Sequence, residues 1–553
     1  MVRKYGKILV FMAILALAAA ACGGDGGDEP TGRVGGSVVA GLGDPGDLDP
    51  AYCGTTTCAE PVGLLFDSLL SYSPRTAALE KKGAASDYKV SADATSVTFT
   101  LRQGATFHSG EPVTAESFIR GFNRITVVKD GVTPSELSFH FAGIKGFDDA
   151  QAGKATTLAG VKQGANDHEL VVELDAPNAE FVIRTGHQAF SPLPKSADGA
   201  DGKPSTTFTV NPDGNGPYQM DGEYKREQGL KVKRWSGYTG TPKGFLDSIE
   251  WKVYVGDQAL QNQYLEFQAG TLDSGDVPPE SYADAEAKFA NAFVQQPGPI
   301  LTYLTANTTN SVTGNAKFRQ AVSLAINRAD IVKAVFNDQR VPANSIIPPL
   351  TFGYREGVCT FCVFDLDKAK TLLTESGVDV SKLRLDLPFN ADGGHGTWMA
   401  AVQAQLKANL GITARLVPIA SFDDYTGSGK DKYLNSKFLA APAFARLGWA
   451  QDYPTPDNWL NPLFVSTSGD NHSKYNNPAV DKLIADAQRT LNNSERLKLQ
   501  QQAEDAIIAD MPIIPMFYSK SALTYNATKF AAPFTVELQY GYPAWELVSL
   551  KAA

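Results

Sequence analysis

Apolar and polar residues follow two different periods along this chain. Segments in which β-branched or aromatic residues alternate with polar ones predict strands. They are SVVAGL (37–42), SVTFTLR (96–102), HELVVELD (168–175), LKVKRW (230–235) and DSIEWKVY (247–254). Apolar residues three or four positions apart predict a helix over 112–125 and helix pairs over 315–336 and 478–511. Because the elements mix without a strict βαβ rhythm, we predict an α/β protein that is not a single doubly wound domain.

Polar residues mark the beginnings of several helices. Thr114 is a good N-cap for the first helix, and Asn327 followed by Asp330 predicts the start of a later one. Asp365 is expected to cap a helix over LDKAKTLLTESG. The segment MPIIPMFY (511–518) contains two prolines, so the chain is expected to leave the helix there and become extended.

The N-terminus has the features of an export signal. A basic region precedes an apolar run over 8–21, which is shorter than the about 20 residues that a membrane-spanning helix needs. We therefore predict a signal peptide over 1–21. The run ends in LAAAAC, which resembles a bacterial lipobox and predicts a Cys22 modified with lipid, palmitate included, although Ala19 stands where Leu is usual. Ordinary signal cleavage near the same position is the alternative.

Residues 22–32 are expected to form a flexible tether, because GGDGGDEPTG has no apolar residue able to anchor it. About ten such residues have an r.m.s. reach of about 18 Å, which keeps the folded body near the membrane. No other apolar run approaches spanning length. The protein is thus expected to be exported and lipid-anchored on the outer face of the cell membrane, in the periplasmic space of a two-membrane bacterium.

Length and charge narrow the class of protein. A single core stops growing near about 250–300 residues, so a chain of 553 residues predicts two or three domains. The chain has 60 acidic and 50 basic residues, and its net charge of −10 argues against a nucleic-acid partner.

Four cysteines remain when Cys22 is set aside. In an exported protein they predict two disulfides with three possible connectivities, and proximity favours Cys53–Cys58 and Cys359–Cys362. A redox pair is one alternative for C-x-x-C, but reactive pairs favour a helix N-terminus, and Cys362 precedes the expected helix. A four-cysteine zinc site is the other alternative, which an oxidising compartment disfavours.

No catalytic or cofactor-binding motif was found in the sequence context that its function requires. GLGDPG (41–46) matches a dinucleotide-binding fingerprint, but Pro45 cannot open the required helix and the nearby aspartates would repel phosphate. The chain has no H-E-x-x-H or G-x-S-x-G motif. The six histidines are scattered, and His108 is expected to have a structural role in a turn. We therefore predict no enzyme activity, no cofactor and no metal site.

Several separated segments resemble one family, in that family's order and over nearly the whole chain after the tether. They are GDLDPAYCGTTTCAEPVGLLFDSLLSYSPRT, VTFTLRQGATFHSGEPVTAESF, GNGPYQM, LEFQAGTLDSGDVPP, FRQAVSLAINRADIVKAVF, YNNPAVDKLIADAQ and ADMPIIPMFY. The family is solute-binding protein family 5, the substrate-binding proteins of oligopeptide, dipeptide and nickel ABC importers. The resemblance is closest to the oligopeptide-binding proteins.

The resemblance implies a periplasmic-binding-protein type II fold, in which two α/β lobes are joined by two extended crossings and an α/β subdomain is inserted. Lobe I would comprise 33–73, 205–300 and 521–553, the inserted subdomain 74–204, and lobe II 301–520. The crossings are expected near PGPILTY (297–303) and MFYSKSA (516–522), where they form a hinge. The loop 52–60 is expected to border the cleft.

The segment GWAQDYPTPDNWL (448–460) carries the predicted ligand site. In peptide binders of the family the matching aspartate, here Asp452, pairs with the α-ammonium of the peptide. Arg446 matches an arginine used near the peptide's C-terminal end, and Trp449 matches an aromatic residue lining a side-chain pocket. Tyr453 completes the predicted ligand-binding set.

Each assignment has a structural alternative. Asp452 could instead be a turn or cap residue, and Arg446 a cation that stabilises its lobe. Trp449 and Trp459 could both belong to the core. Lys437 is a further candidate ligand-facing cation by a looser alignment.

We predict a monomeric, lipid-anchored substrate-binding protein that captures peptides between its lobes and delivers them to a membrane permease. ATP hydrolysis would occur on other subunits of the importer. Within the same fold, a nickel chelate, an oligosaccharide or another amine-bearing metabolite is the alternative ligand, and Asp452 favours a ligand with an amine. Outside it, the alternatives are a surface lipoprotein without a transport role and a secreted hydrolase.

Overall fold

The computed structural model describes residues 32–552, except for 130, 133–134, 200–201, 226–227, 257, 392–393, 421 and 427–431. The predicted signal peptide, Cys22 and all but the last residue of the tether lie outside the described residues. Among the helices of the described ranges, none is both long and apolar enough to cross a membrane.

Strands and helices are interspersed along the chain. The strands are β1 (Ser37–Gly43), β2 (Ser71–Tyr72), β3 (Leu79–Glu80), β4 (Ala85–Val90), β5 (Ser96–Leu101), β6 (Val161–Gln163), β7 (Glu169–Glu173), β8 (Tyr218–Met220), β9 (Gly229–Arg234), β10 (Ser248–Tyr254), β11 (Ser274–Asp276), β12 (Phe293–Ala306), β13 (Val341–Pro342), β14 (Leu385–Asn390), β15 (Ala414–Ile419), β16 (Phe444–Ala450) and β17 (Ile513–Tyr525). The α-helices are α1 (Thr56–Leu65), α2 (Ala115–Thr126), α3 (Phe147–Gln151), α4 (Phe181–Arg184), α5 (Ala259–Gln268), α6 (Tyr282–Phe289), α7 (Ala316–Leu324), α8 (Arg328–Phe336), α9 (Leu366–Ser376), α10 (Gly396–Leu410), α11 (Phe422–Thr426), α12 (Lys437–Ala440), α13 (Asp457–Phe464), α14 (Pro478–Arg489) and α15 (Asn493–Asp510).

The elements predicted from the residue pattern are confirmed. Each of the five predicted strand segments contains a strand, and the two predicted helix pairs are α7 with α8 and α14 with α15. Asn327 caps α8 by accepting a hydrogen bond from the backbone N–H of Asp330 at 3.2 Å, and Asp365 caps α9. The GLGDPG segment begins in β1 and ends in a turn, where Oδ1 of Asp44 accepts a hydrogen bond from the backbone N–H of Gly46 at 2.9 Å.

The largest sheet joins distant parts of the chain in the strand order β16-β12-β17-β11-β1-β10-β9-β8. Its two longest strands, β12 and β17, pair in antiparallel fashion along most of their length. The predicted crossings at 297–303 and 516–522 lie within these two strands. Their register shifts between Pro297 and Leu301, where prolines cannot donate to the ladder. The ladder is therefore interrupted inside the predicted hinge.

Buried apolar side chains form three main clusters. One gathers residues between Leu301 and Tyr518, from β12 to β17. A second lies mostly around the four-stranded sheet β4-β5-β7-β6 and helix α2. The third joins β1, α1 and β8–β10 to C-terminal residues as far as Leu550. Each of these regions thus has an apolar core of its own.

The four cysteines lie in two pairs that are local in sequence. The Sγ atoms of Cys53 and Cys58 are 2.16 Å apart, and those of Cys359 and Cys362 are 1.99 Å apart. This is the pairing that sequence proximity favours, and oxidation itself stays a prediction. Cys362 lies in the loop that precedes α9, as expected.

Candidate functional site

Two cavities are lined both by residues of the 301–520 segment and by residues from the rest of the chain, and Asp452 lines both. The first, here called the hinge-side cavity, has a volume of about 650 Å³. Its walls include residues of β12, β16 and β17, together with Gln188 and Tyr540. The second, here called the subdomain-side cavity, has a volume of about 400 Å³ and lies between the 139–184 and 449–488 segments.

Strand β16 divides the predicted ligand-binding residues between the two cavities. Successive side chains of a strand point to opposite faces, so Arg446 and Trp449, three residues apart, diverge. Arg446 lines the hinge-side cavity, where its Nη1 donates to Oδ1 of Asn390 at 3.2 Å. Trp449 lines the subdomain-side cavity, and its indole N–H is 3.4 Å from Oδ1 of Asn458. The predicted set therefore does not form one cluster.

Asp452 lies in the turn between β16 and α13, and Asn458 holds it in place. Nδ2 of Asn458 donates to Oδ2 of Asp452 at 2.8 Å. Oδ1 of Asn458 accepts from the backbone N–H of Asp452 at 3.0 Å. Asn458 is itself only 1% exposed. One oxygen of the Asp452 carboxylate is thus fixed by a buried amide, while the residue borders both cavities.

Asp452 has no ion-pair partner within the described residues. Burial raises the pKa of Asp452 to about 6, and the hydrogen bond from Asn458 opposes that shift. Asp470 raises this pKa further, and Arg184 lowers it. No lysine, arginine or histidine in the described ranges forms an ion pair with Asp452. A half-buried carboxylate in this state is suited to accept a cationic hydrogen-bond donor from a ligand.

Residues on the other side of Asp452 connect the turn to the C-terminal segment. Nε2 of Gln451 donates to Oε1 of Gln539 at 2.7 Å, and both side chains are buried. In the loop 52–60, which is expected to border the cleft, Gly54, Thr55 and Ala59 line the hinge-side cavity. The turn that carries Asp452 is therefore held from two directions.

The remaining candidates occupy different environments. Tyr453 is buried, its hydroxyl lies 3.2 Å from Oδ2 of Asp457, and the guanidinium of Arg184 lies over its ring at 5.3 Å. Trp459 is fully buried in the core. Lys437 is exposed and lines neither cavity, so the structure gives no support to its expected ligand-facing position. His108 has the expected structural role, because its Nδ1 accepts from the N–H of Gly214 at 3.2 Å.

Several residues at the cavities were not predicted from the sequence. They are Asn458, Arg184, Gln539 and the stacked histidines His140 and His187. Asn458 lies within the quoted motif, six residues after Asp452, and this closeness in sequence was the available indication that the two residues interact. In the described ranges, no group of three or more His, Cys, Asp and Glu residues is arranged to hold a metal ion.

Comparisons with known proteins give one consistent result. Residues 80–471 match the family described as bacterial extracellular solute-binding proteins, family 5 Middle. The periplasmic oligopeptide-binding protein OppA of Salmonella typhimurium is 29% identical over 434 residues, which is 77% of each chain. The periplasmic murein peptide-binding protein MppA of Escherichia coli is 29% identical over 483 residues, which is 86% of each chain.

Solved structures match the fold over almost the whole chain. The unliganded open form of the periplasmic murein tripeptide-binding protein MppA has a TM-score of 0.78 at 25% identity, covering 94% of this chain and 99% of that one. OppA of Haemophilus influenzae in complex with the peptide RPPGFSPFR has a TM-score of 0.67 at 21% identity, covering 93% and 99%. The predicted periplasmic-binding-protein α/β fold is thereby confirmed.

Proposed function

Since this chain belongs to the bacterial extracellular solute-binding proteins of family 5, we propose that it captures peptides between its lobes for an ABC importer. Membership of a solute-binding family confirms the prediction that the chain is not an enzyme. The proposed ligand is a peptide with a free α-ammonium group. The proposed partners are the permease subunits of the importer and their ATPases.

The observation that carries the proposal is the uncompensated carboxylate of Asp452. Glu504 pairs with Arg355 at 2.8 Å and Glu180 with Arg496 at 2.9 Å, and buried Glu60 accepts hydrogen bonds from the indole N–H groups of Trp251 and Trp545. Asp452 differs from these three carboxylates because it borders both cavities and has no ion pair among the described residues. An α-ammonium would supply the missing partner and donate a charge-assisted hydrogen bond worth about 1.5–3 kcal/mol. A neutral sugar would leave the charge of Asp452 uncompensated, so the carboxylate favours an amine.

The hinge-side cavity suits the main chain of the peptide. Its volume of about 650 Å³ falls in the range of about 300–1,000 Å³ that is usual for small-ligand sites. Peptide main chain can be bound by backbone groups largely without regard to side-chain identity. Arg446 lines this cavity, and we propose that its guanidinium faces the C-terminal end of the peptide.

The same carboxylate explains why a ligand would favour closure. A closed cleft without an ammonium leaves Asp452 buried and unpaired, at a cost of about 3–5 kcal/mol. A bound peptide removes that cost, so it shifts the population toward the closed state. The interrupted ladder between β12 and β17 offers a place for the bend, because two strands can flex there without unfolding either core.

The names of the relatives support a peptide ligand. OppA of Salmonella typhimurium is an oligopeptide-binding protein, and MppA of Escherichia coli is a murein peptide-binding protein. The structure of Helicobacter pylori DppA, 22% identical, contains the peptide STSA. A nickel chelate, an oligosaccharide or another amine-bearing metabolite remains the alternative ligand.

The proposal includes the location and covalent state of the protein. We propose cleavage after residue 21, lipid attachment at Cys22, a tether over 22–32, and disulfides Cys53–Cys58 and Cys359–Cys362. The division into lobe I, the inserted subdomain and lobe II has the ranges given above, and the three apolar clusters support it. Labelling with an alkyne analogue of palmitate should tag the wild type and not Cys22→Ser.

Native mass spectrometry of the freshly purified protein tests the proposed ligand. We expect adducts that dissociate and fragment as short peptides, and we expect peptides to bind again to protein stripped of ligand. An adduct of a nickel complex or a sugar, together with no peptide binding to the stripped protein, would contradict the proposal.

A further inference from the structure

The subdomain-side cavity contains a buried histidine whose ring nitrogens have no partner. His140 is 1% exposed, and neither Nδ1 nor Nε2 forms a hydrogen bond within the described residues. A buried polar group without a hydrogen bond is costly, and such groups are rare. Because His140 lines the cavity, a ligand group there could supply the missing hydrogen bond.

His140 is fixed in orientation by rings on both of its faces. The ring of Phe139 stacks on one face and that of His187 on the other, each with centroids 4.2 Å apart. His187 in turn is held because its Nδ1 accepts from the backbone N–H of Ala189 at 3.1 Å. Only the edge of the His140 ring, which carries the nitrogens, is left to make a polar contact.

The surroundings indicate which chemical group would fit. Burial, together with His187 and Arg184, lowers the pKa of His140 well below its usual range, so the ring is neutral with one donor and one acceptor. Beside His140 itself a cationic group is disfavoured by Arg184, which also acts on the His140 ring. An anionic group is disfavoured by the three aspartates of the cavity wall, Asp175, Asp452 and Asp470. The remaining choice is a neutral group that forms hydrogen bonds.

The shape of the cavity adds a second requirement. Phe139 and Trp449 both contribute aromatic surface to its wall, and Pro177 and Pro462 contribute further apolar surface. Flat rings pack well against such surfaces. A side chain that combines a flat ring with a neutral polar end is therefore the best match.

Asp452 determines which residue of the ligand reaches this cavity. An ammonium bound to Asp452 places the first α-carbon at the boundary of the two cavities, because Asp452 lines both. If the main chain continues into the larger hinge-side cavity, the first side chain enters the other one. We propose that His140 is a specificity-determining residue that favours tyrosine as the first residue of the peptide, through a hydrogen bond to the phenol hydroxyl. This inference rests on the proposed function.

Calorimetric titration with matched peptides tests it. The peptides are alanine peptides of graded length that begin with tyrosine or with phenylalanine, so that each pair differs by one hydroxyl. We expect wild-type protein to bind the tyrosine peptide about fivefold more tightly, as one neutral hydrogen bond predicts. His140→Phe keeps an aromatic ring in the stack and should reduce that ratio to about one. His168→Phe, at a histidine of the same segment that lines neither cavity, should leave the ratio unchanged.

The outcomes separate this inference from the proposed function. A tyrosine-to-phenylalanine ratio near one in the wild type would overturn the role of His140, and so would an unchanged ratio in His140→Phe. In both cases peptides still bind, and the proposed function stands. Failure of every peptide to bind the wild type would contradict the proposed function itself.

Discussion

The affinity for peptides should fall as pH decreases through the raised pKa of Asp452. Burial raises that pKa to about 6 in the ligand-free protein. The carboxylate is then about 91% ionised at pH 7 and about 9% ionised at pH 5. Because an ammonium binds the ionised form, the protein must lose a proton before binding at low pH. Affinity is therefore full above the raised pKa and is lost progressively below it.

The ligand's own titration slightly offsets this effect. An α-amino group with an ordinary pKa near about 7.7 is about 83% protonated at pH 7 and fully protonated at pH 5. The two titrations together predict a Kd about eightfold higher at pH 5 than at pH 7, or about 1.2 kcal/mol. Isothermal titration calorimetry of one tight peptide across this range measures the effect.

Two variants make the pH experiment specific. Asp452→Asn removes the titrating group and should bind weakly, with little dependence on pH. Asp175→Asn, at an exposed acid that lines the subdomain-side cavity, should keep the wild-type profile. An equal Kd at both pH values, or a wild-type slope in Asp452→Asn, would refute the assignment of the ammonium to Asp452.

Three further outcomes follow from the same contacts. Ionisation of Asp452 opposes folding progressively as pH rises from its ordinary pKa of 3.8 to its raised pKa of about 6, and fully above that. Asp452→Asn should therefore increase the free energy of unfolding by about 1–2 kcal/mol at pH 7.5, after allowance for its partial exposure. In urea titrations this gain should vanish near pH 3.8, the ordinary pKa, and a gain of equal size at both pH values would contradict it. Arg496→Met should destabilise the protein by about 3–5 kcal/mol, because it leaves the buried partner Glu180 without its cation. The loss should be larger at pH 8 than at pH 5, because burial and Asp457 raise the pKa of Glu180 to about 7. A loss independent of pH would count against an ionised Glu180. The non-reduced protein should have a mass lower by four hydrogens than the reduced protein, as two disulfides require, whereas equal masses would exclude them.

Many helices and strands could be predicted because the spacing of apolar residues indicates which face of each element is buried. The alternation in HELVVELD predicted a strand, which is β7, and the capping residue Asn327 predicted the start of α8. One motif also directed attention to Asp452, which lines both cavities, and its role in binding stays a prediction. These features depend on residues that are close together in sequence, so they could be predicted without the structure.

The composition of the site could not be predicted in the same way. His140 and Arg184 reach the cavity from a segment more than two hundred residues before Asp452, and no local pattern marks them. Arg446 and Trp449 were expected in one site, but they diverge because FARLGWA forms β16. FARLGWA does not alternate strictly between apolar and polar residues, so its pattern did not mark the strand that would have predicted the divergence.

Acetylation of the peptide N-terminus tests the central claim most directly. Calorimetry on the wild-type protein would compare one peptide with a free α-ammonium and the same peptide with an acetylated N-terminus. Removing one partner of a buried charge pair costs about 2–5 kcal/mol, so the acetylated peptide should bind at least about 30-fold more weakly. In Asp452→Asn the two peptides should differ far less. Equal affinity of the two peptides for the wild type would contradict the account.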